Sequence, residues 1–163
     1  MTELSVEELI KKLQLEPLPP EGGMHRQTYV STLSIGGVPA GTAIYYLLSG
    51  EDFSHLHRLP RGEMYHFYLG DPVELTELLP DGTFRRTVLG QDLGAGQEVQ
   101  HMVEPGTWQG SRLAPGGRFA LMGTTMCPGY TPDCYEQGDR ETRLAAYPGA
   151  AEEIMQLTKE RRP

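Results

Sequence analysis

Apolar and polar positions alternate along most of the chain in short runs, each about the length of a β-strand. Turns that contain Gly, Pro or Asp separate these runs at intervals of roughly 8 to 12 residues. The runs cover residues 42–48, 64–69, 73–79, 83–89, 97–103, 107–113 and 118–126. Many short strands at this spacing predict an all-β sandwich or barrel. Residues 31–41 are small and rich in Gly, which indicates a loop.

Two segments near the ends of the chain have helical periodicity instead. In residues 5–14 apolar side chains recur on one helical face, and Ser5 with Glu8 has the spacing of a capping box. Residues 139–158 contain two short helical patterns, divided at Pro148 and Gly149. We therefore expect one domain over residues 1–163, with a β core at about 20–136 and a short helical segment on each side.

Composition restricts the partners and the location. The formal net charge of -8 and the pI of about 5.1 argue against nucleic acid, which requires a basic surface. No apolar run approaches the roughly 18 residues needed to cross a membrane. The first residues are acidic and lack the basic region of a signal peptide, so we expect a cytoplasmic protein.

Residues 50–72 bring three metal-binding side chains close together in the sequence. In an extended segment alternate residues share a face, so His55 and His57 are expected to point the same way. Pro60 and Gly62 then mark a turn, and a hairpin here would bring Glu63 across from the two histidines. Two imidazoles and one carboxylate suit iron, manganese, zinc or nickel.

This stretch resembles the first motif of the cupin superfamily, in which a Gly, a His-x-His, a Glu and a second Gly follow at short intervals. The corresponding residues here are Gly50, His55, His57, Glu63 and Gly70. The gaps before the Glu differ slightly from those of the motif. Cupins commonly pair through sheet edges, so the resemblance also implies a homodimer.

The chain also resembles one cupin branch, the small DUF985 or cupin-5 family. Its Ser-x-x-His-Arg and Glu-x-Trp-His-Phe-Tyr-x-Gly-Asp-Pro signature corresponds to residues 54–58 and 63–72, with Tyr65 in place of Trp. Its Pro-Glu-Gly-Gly and Arg-x-Thr-Tyr stretch corresponds to residues 20–29. In that family the position of His55 is often not histidine. The resemblance implies a cupin double-stranded β-helix, a jelly-roll barrel with short N- and C-terminal helices.

The second cupin motif, Pro-x-Gly-x-x-His, ends in the remaining metal ligand. Residues 103–109 instead resemble the Val-Pro-Ala-Gly-x-Trp-Gln pattern of cupin-5, with matches at Gly106, Trp108 and Gln109. The resemblance therefore implies a divalent transition metal (Fe, Mn, Ni or Zn) on four residues: His55, His57, Glu63 and Gln109. A polar pocket without a metal is the alternative, because a glutamine oxygen is a weaker ligand than imidazole.

Cupins bind small molecules inside the barrel, and the residues expected to line that pocket are Glu21, Arg26, Tyr45, Tyr65, Phe67 and Trp108. One function left open is a small-molecule-binding cupin with a metal, of the oxygenase or isomerase type. A metal-free enzyme similar to sugar epimerases is another, with His57 as general base and Tyr68 or Tyr45 as general acid. The acidic net charge disfavours the diphosphate of a nucleotide sugar, although Arg26, Arg58 and Arg61 are available to bind it. The third is a non-catalytic module that binds a metabolite.

Overall fold

The computed structural model describes residues 4–159, so the two ends of the expected domain, 1–3 and 160–163, lie outside the described part. The helices are α1 (Val6–Leu13), α2 (Arg140–Ala146) and α3 (Ala151–Gln156). The strands are β1 (Glu16–Pro17), β2 (Met24–Val30), β3 (Ser34–Ile35), β4 (Val38–Pro39), β5 (Thr42–Ser49), β6 (Phe53–Arg58), β7 (Glu63–Gly70), β8 (Val73–Leu78), β9 (Phe84–Leu89), β10 (Gln100–Val103), β11 (Trp108–Leu113), β12 (Phe119–Met126) and β13 (Glu136–Gln137).

Two antiparallel sheets form the barrel. The larger has the order β1-β2-β5-β12-β7-β10, and the smaller has the order β13-β6-β11-β8-β9. Successive strands from β5 to β8 alternate between the two sheets, which is the connectivity of a jelly roll. The expected all-β barrel is confirmed. Some short elements were not expected: the predicted loop at residues 31–41 contains the small hairpin β3–β4, and β1 and β13 are additional two-residue strands.

The inner faces of the sheets are divided between a packed core and a pocket. Apolar side chains from both sheets meet between them, including Leu48 of β5, Val73 of β8 and Leu89 of β9, all fully buried. On the inward face of β5, Leu48 packs in this core, whereas Tyr46, two residues earlier, lines a cavity. The barrel is therefore closed by core packing at one end and hollow toward the other.

The helices cover the outer faces of the sheets. Helix α1 begins after Ser5, which forms the expected capping box with Glu8, and it packs its apolar side on Leu47 and Leu121. Helices α2 and α3 cover the smaller sheet, where Ile154 is fully buried. Among residues 4–159 no helix is long and apolar enough to span a membrane.

A charged cluster joins the edges of the two sheets. Glu77 of β8, which is 1% exposed, accepts two hydrogen bonds from Arg85 of β9 at 3.0 and 2.9 Å. His101 of β10 contacts Glu77 through Nε2 at 2.9 Å and Glu98 through Nδ1 at 2.8 Å. The hydrogen bond to Glu77 is the main reason that the pKa of His101 is raised. Burial would raise the pKa of Glu77, but its bonds to His101 and Arg85 lower it.

We expect Glu77→Gln to lower the free energy of unfolding by about 1–2 kcal/mol at pH 6, because a buried charged hydrogen bond is lost. A histidine whose pKa is higher in the folded than in the unfolded protein stabilises the folded state while it is protonated. The contribution of His101 to the free energy of unfolding is therefore lost as pH rises through its folded pKa. The loss of unfolding free energy in Glu77→Gln should therefore be smaller at pH 9 than at pH 6. Urea unfolding at both pH values measures it.

The matched control is Glu136→Gln, which removes the exposed ion pair with Arg58. Exposed pairs contribute little, so this variant should lose no more than about 0.5–1 kcal/mol. Equal losses in the two variants would contradict a special contribution of the buried cluster.

Candidate functional site

The barrel contains a cavity of about 500 Å³ at its hollow end. It lies between the inner faces of the two sheets and the segments that lead into and out of them. The lining residues are Glu16, Leu18, Glu21, His25, Gln27, Val30, Pro39, Thr42, Ile44, Tyr46, His57, Leu59, Glu63, Tyr65, Thr124, Met126, Tyr130, Thr131 and Pro132.

His57 of β6 provides the imidazole of the pocket wall. It is 1% exposed, and its Nδ1 lies 2.7 Å from the backbone oxygen of His55. A carbonyl oxygen only accepts hydrogen bonds, so Nδ1 carries the proton and Nε2 is left as an acceptor. Burial lowers the pKa of His57, which favours this neutral form. The ring stacks on Tyr135, with centroids 5.1 Å apart.

Glu63 and Gln109 meet beside this imidazole. Glu63 begins β7, and Gln109 of β11 is the cross-strand neighbour of His57. The amide Nε2 of Gln109 donates to Oε2 of Glu63 at 2.9 Å. Burial raises the pKa of Glu63, although His57 lowers it and Glu21 adds to the increase. Gln109 Oε1 is buried and has no hydrogen-bond partner in the part of the chain that the structure describes.

Glu21 adds a second carboxyl group to the pocket. Its Oε1 accepts a hydrogen bond from the hydroxyl of Ser54 at 2.7 Å, and its backbone oxygen accepts one from the amide of His55 at 2.7 Å. These bonds hold the segment before β2 against β6. Burial raises the pKa of Glu21 to about 7, so this carboxyl group is partly protonated near neutral pH.

The expectation that His55 and His57 share a face is corrected by the structure. In the pairing of β6 with β11, Gln109 lies opposite His57 and Ser111 lies opposite Ser54, with a register shift between them. The extra residue in β6 forms a β-bulge, and a bulge interrupts the alternation of faces. His57 therefore lines the pocket while His55 does not.

His55 instead lies under the C-terminal segment. Its Nε2 accepts a hydrogen bond from the backbone amide of Lys159 at 3.3 Å and lies 3.4 Å from the side-chain nitrogen of Gln137. It borders a separate depression formed by residues 137–141 and Lys159. These contacts fasten the segment after α3 to the smaller sheet.

The four predicted metal ligands do not come together, because His55 faces the opposite side of the smaller sheet from His57. Within residues 4–159 no three His, Cys, Asp or Glu side chains lie close enough to hold a metal ion. Two of the proposed donors, His57 and Glu63, do line the pocket, and Gln109 contacts Glu63.

The structure also places three expected site residues outside the pocket. The side chains of Arg26, Tyr45 and Tyr68 lie on the outer face of the larger sheet. The rings of Tyr45 and Tyr68 meet edge to face at 6.2 Å, and the guanidinium of Arg26 lies 5.4 Å from the Tyr45 centroid. Tyr68 is 41% exposed and does not line the pocket, so it is not positioned to act as an acid there. The neighbouring Tyr46 points inward instead, with its hydroxyl bonded to the oxygen of Gly22 at 2.9 Å.

Phe67 and Trp108 belong to packed clusters and not to the pocket wall. Phe67 is part of the core between the sheets. Because Gln109 faces inward, the preceding Trp108 faces outward, where its ring lies between the guanidinium groups of Arg58 and Arg143 at 4.8 and 4.4 Å. Of the expected pocket residues, the structure places Glu21 and Tyr65 on the wall.

Sequence reasoning missed several polar residues of the wall, among them Tyr46, Thr124 and Tyr130. Strand β5 is apolar on both faces, so its pattern gave no preference between Tyr45 and Tyr46. The sequence also gave no preference between the adjacent Thr124 and Thr125 of β12, and only the structure shows that Thr124 is the buried one, at 5% exposure. Its neighbour Thr125 faces outward and bonds to His66.

Several known proteins are similar to this chain. The family model described as Cupin superfamily (DUF985) matches residues 7–137. A protein of Shewanella oneidensis solved by X-ray crystallography is 32% identical with a TM-score of 0.91, over 98% of this chain and 100% of that one. A hypothetical protein from Leishmania major is 29% identical with a TM-score of 0.90, over 96% and 100%.

An oxalate decarboxylase of Bacillus subtilis is more distant. It is 15% identical with a TM-score of 0.58, and the match covers 91% of this chain and 38% of the decarboxylase, so it shows the shared fold alone. None of the curated proteins is similar in sequence to this chain. The family match extends over most of the chain, from α1 to β13, and coincides with the barrel that holds His57 and Glu63. The chain therefore belongs to the Cupin superfamily (DUF985).

Proposed function

We propose that this cupin binds a small organic molecule inside the barrel and that His57 is the group that accepts a hydrogen bond or a proton from it. The observation that carries the proposal is the fixed tautomer of His57 on the wall of a cavity of about 500 Å³. Cavities of this size that combine apolar walls with a few polar groups are typical ligand sites.

The wall is suited to molecules that donate hydrogen bonds. Its strongest acceptors are the carboxyl groups of Glu21 and Glu63 and the Nε2 atom of His57. None of the described residues that line the pocket is a lysine or arginine. The three arginines considered for a diphosphate are engaged elsewhere: Arg26 bonds to Gln14, Arg58 to Glu136 and Arg61 to Thr131. A nucleotide sugar is therefore a poor match.

If the protein is an enzyme, proton transfer of the isomerase type is the chemistry that this wall supports. His57 would take a proton from the bound molecule as general base. Burial raises the pKa of both Tyr65 and Tyr130, so their hydroxyls stay protonated and are available as donors. Tyr68, on the outer face, has no part in this step.

The test compares His57→Ala with His55→Ala. Ligand-observed NMR with monosaccharides, polyols, amino alcohols and amines identifies compounds that bind the wild type. Loss of a hydrogen bond to a buried acceptor should weaken their binding about tenfold or more in His57→Ala. His55→Ala should bind them like the wild type. The absence of any ligand, or equal binding by His57→Ala, would overturn the proposal.

A second candidate is a divalent metal bound by His57, Glu63 and Gln109. It is favoured by one observation, the buried and unpartnered Oε1 of Gln109. A bound metal would supply Lewis-acid chemistry to the pocket. Elemental analysis after reconstitution with Fe, Mn, Ni or Zn tests it in the same two variants. Near-stoichiometric metal in the wild type and in His55→Ala, lost in His57→Ala, would support it, and no retained metal would reject it. The homodimer and the cytoplasmic location stay predictions.

A further inference from the structure

We propose that the molecule bound in the barrel is an organic ammonium ion, a positively charged nitrogen attached to a hydrocarbon group. This inference rests on the binding function proposed above and names the ligand class for the same pocket. It is carried by the distribution of charged, aromatic and apolar side chains over the wall.

The charged groups of the wall are carboxyl groups. Glu21 and Glu63 lie inside the cavity, and the exposed Glu16 lies at its border. The described part of the lining offers no lysine or arginine to neutralise them, and its histidines are His25 and the neutral His57. Two carboxyl groups in one cavity disfavour each other's ionisation, and Glu21 contributes to the raised pKa of Glu63. A bound cation would offset this repulsion, whereas an anion would increase it.

The protein contacts of Glu21 offset this cost only in part, through Ser54 and the nearby His25. Its side chain receives a hydrogen bond from Ser54 but forms no ion pair with an arginine or lysine among the described residues. By contrast, the two buried glutamates that the structure describes outside the pocket form ion pairs with arginines. Glu77 pairs with Arg85, and Glu153 pairs with Arg86. The pocket carboxyl groups thus differ from the structural ones in lacking an arginine or lysine partner among the described residues; their basic neighbours are His25 and His57.

The rest of the wall suits the other parts of such a ligand. Tyr46, Tyr65 and Tyr130 provide aromatic faces and hydroxyl oxygens, both of which attract a cation. Ile44 and Met126 provide apolar surface for a hydrocarbon group. An inorganic cation would leave this apolar surface unused, which favours an organic one.

The experiment uses a shape-matched pair of probes, cyclohexylmethylamine and cyclohexylmethanol, titrated at pH 8 by calorimetry or ligand-observed NMR. We expect the wild type to bind the ammonium form at least about tenfold more tightly than the alcohol. In Glu21→Gln the ammonium affinity should fall about tenfold while that of the alcohol changes little. Glu51→Gln, an exposed glutamate between β5 and β6, is the control and should bind both probes like the wild type.

The outcomes separate this inference from the binding function beneath it. Equal affinity for amine and alcohol, or an unchanged amine affinity in Glu21→Gln, would overturn the ammonium ligand and leave the binding function intact. The same holds if neither probe binds at millimolar concentration but sugars or polyols do. If no compound of any class binds the wild type, both proposals fail.

Discussion

Gly22→Ala is expected to destabilise the protein by about 4 kcal/mol, the largest effect we predict for a single methyl group. Gly22 has φ of +107°, a conformation that residues with a side chain rarely adopt. A Cβ atom at this position would lie 2.3 Å from the backbone oxygen of Phe53 in β6. The segment that carries Glu21 would have to move away from the barrel wall, and the Tyr46 hydroxyl would lose its bond to the Gly22 oxygen.

Gly82→Ala is the matched control, measured with Gly22→Ala by urea unfolding at one pH. Gly82 also has a positive φ, +86°, but a Cβ there would meet no atom within 4 Å. It should therefore cost only the backbone strain, about 1 kcal/mol. The difference between the variants isolates the close approach of Gly22 to β6, and equal losses would show that no such approach exists.

Glu21→Gln is expected to make the protein more stable than the wild type at pH 8, by about 2–3 kcal/mol. Burial raises the pKa of Glu21 from 4.5 to about 7 in the folded protein. The unfolded chain therefore loses this proton at lower pH than the folded one, and wild-type stability falls as pH rises between these values. Glutamine keeps an oxygen for the Ser54 hydroxyl and carries no charge, so the penalty disappears.

Urea unfolding of the wild type and of Glu21→Gln at pH 4.5 and pH 8 measures this effect. At pH 4.5 the difference in unfolding free energy should be small, since the carboxyl group is protonated in the folded state. The exposed Glu51→Gln, with the same change of charge, should stay within about 0.5 kcal/mol of the wild type at both pH values. A variant that is less stable than the wild type at pH 8 would show that ionisation of Glu21 carries no such penalty in the folded protein.

Most secondary structure was predictable because it depends on local sequence. The strands alternate or form apolar runs between Gly and Pro turns, and α1 carries both its apolar face and its capping box within ten residues. The resemblance of residues 54–58, 63–72 and 103–109 to cupin motifs then led to the jelly roll. The missed strands, β1, β13 and the two of the β3–β4 hairpin, have two residues each and are too short to have a periodic pattern.

The site was predictable only in part, because it depends on which face each side chain occupies. Glu63 and His57 line the pocket, but regular alternation also assigned His55 to it. The bulge that removes His55 exists only in the pairing of β6 with β11, which are separated by about fifty residues in the chain. No local pattern in residues 53–58 reveals it.

By itself, the sequence of this protein determined the strands, the helices, the fold family and the presence of an imidazole and a carboxylate near the barrel interior. The tertiary structure alone decided that His57 faces the pocket without His55 and that Tyr46 replaces Tyr45. Periodicity and motifs are properties of neighbouring residues. The assignment of faces depends on the register between distant strands, and one bulge reverses it.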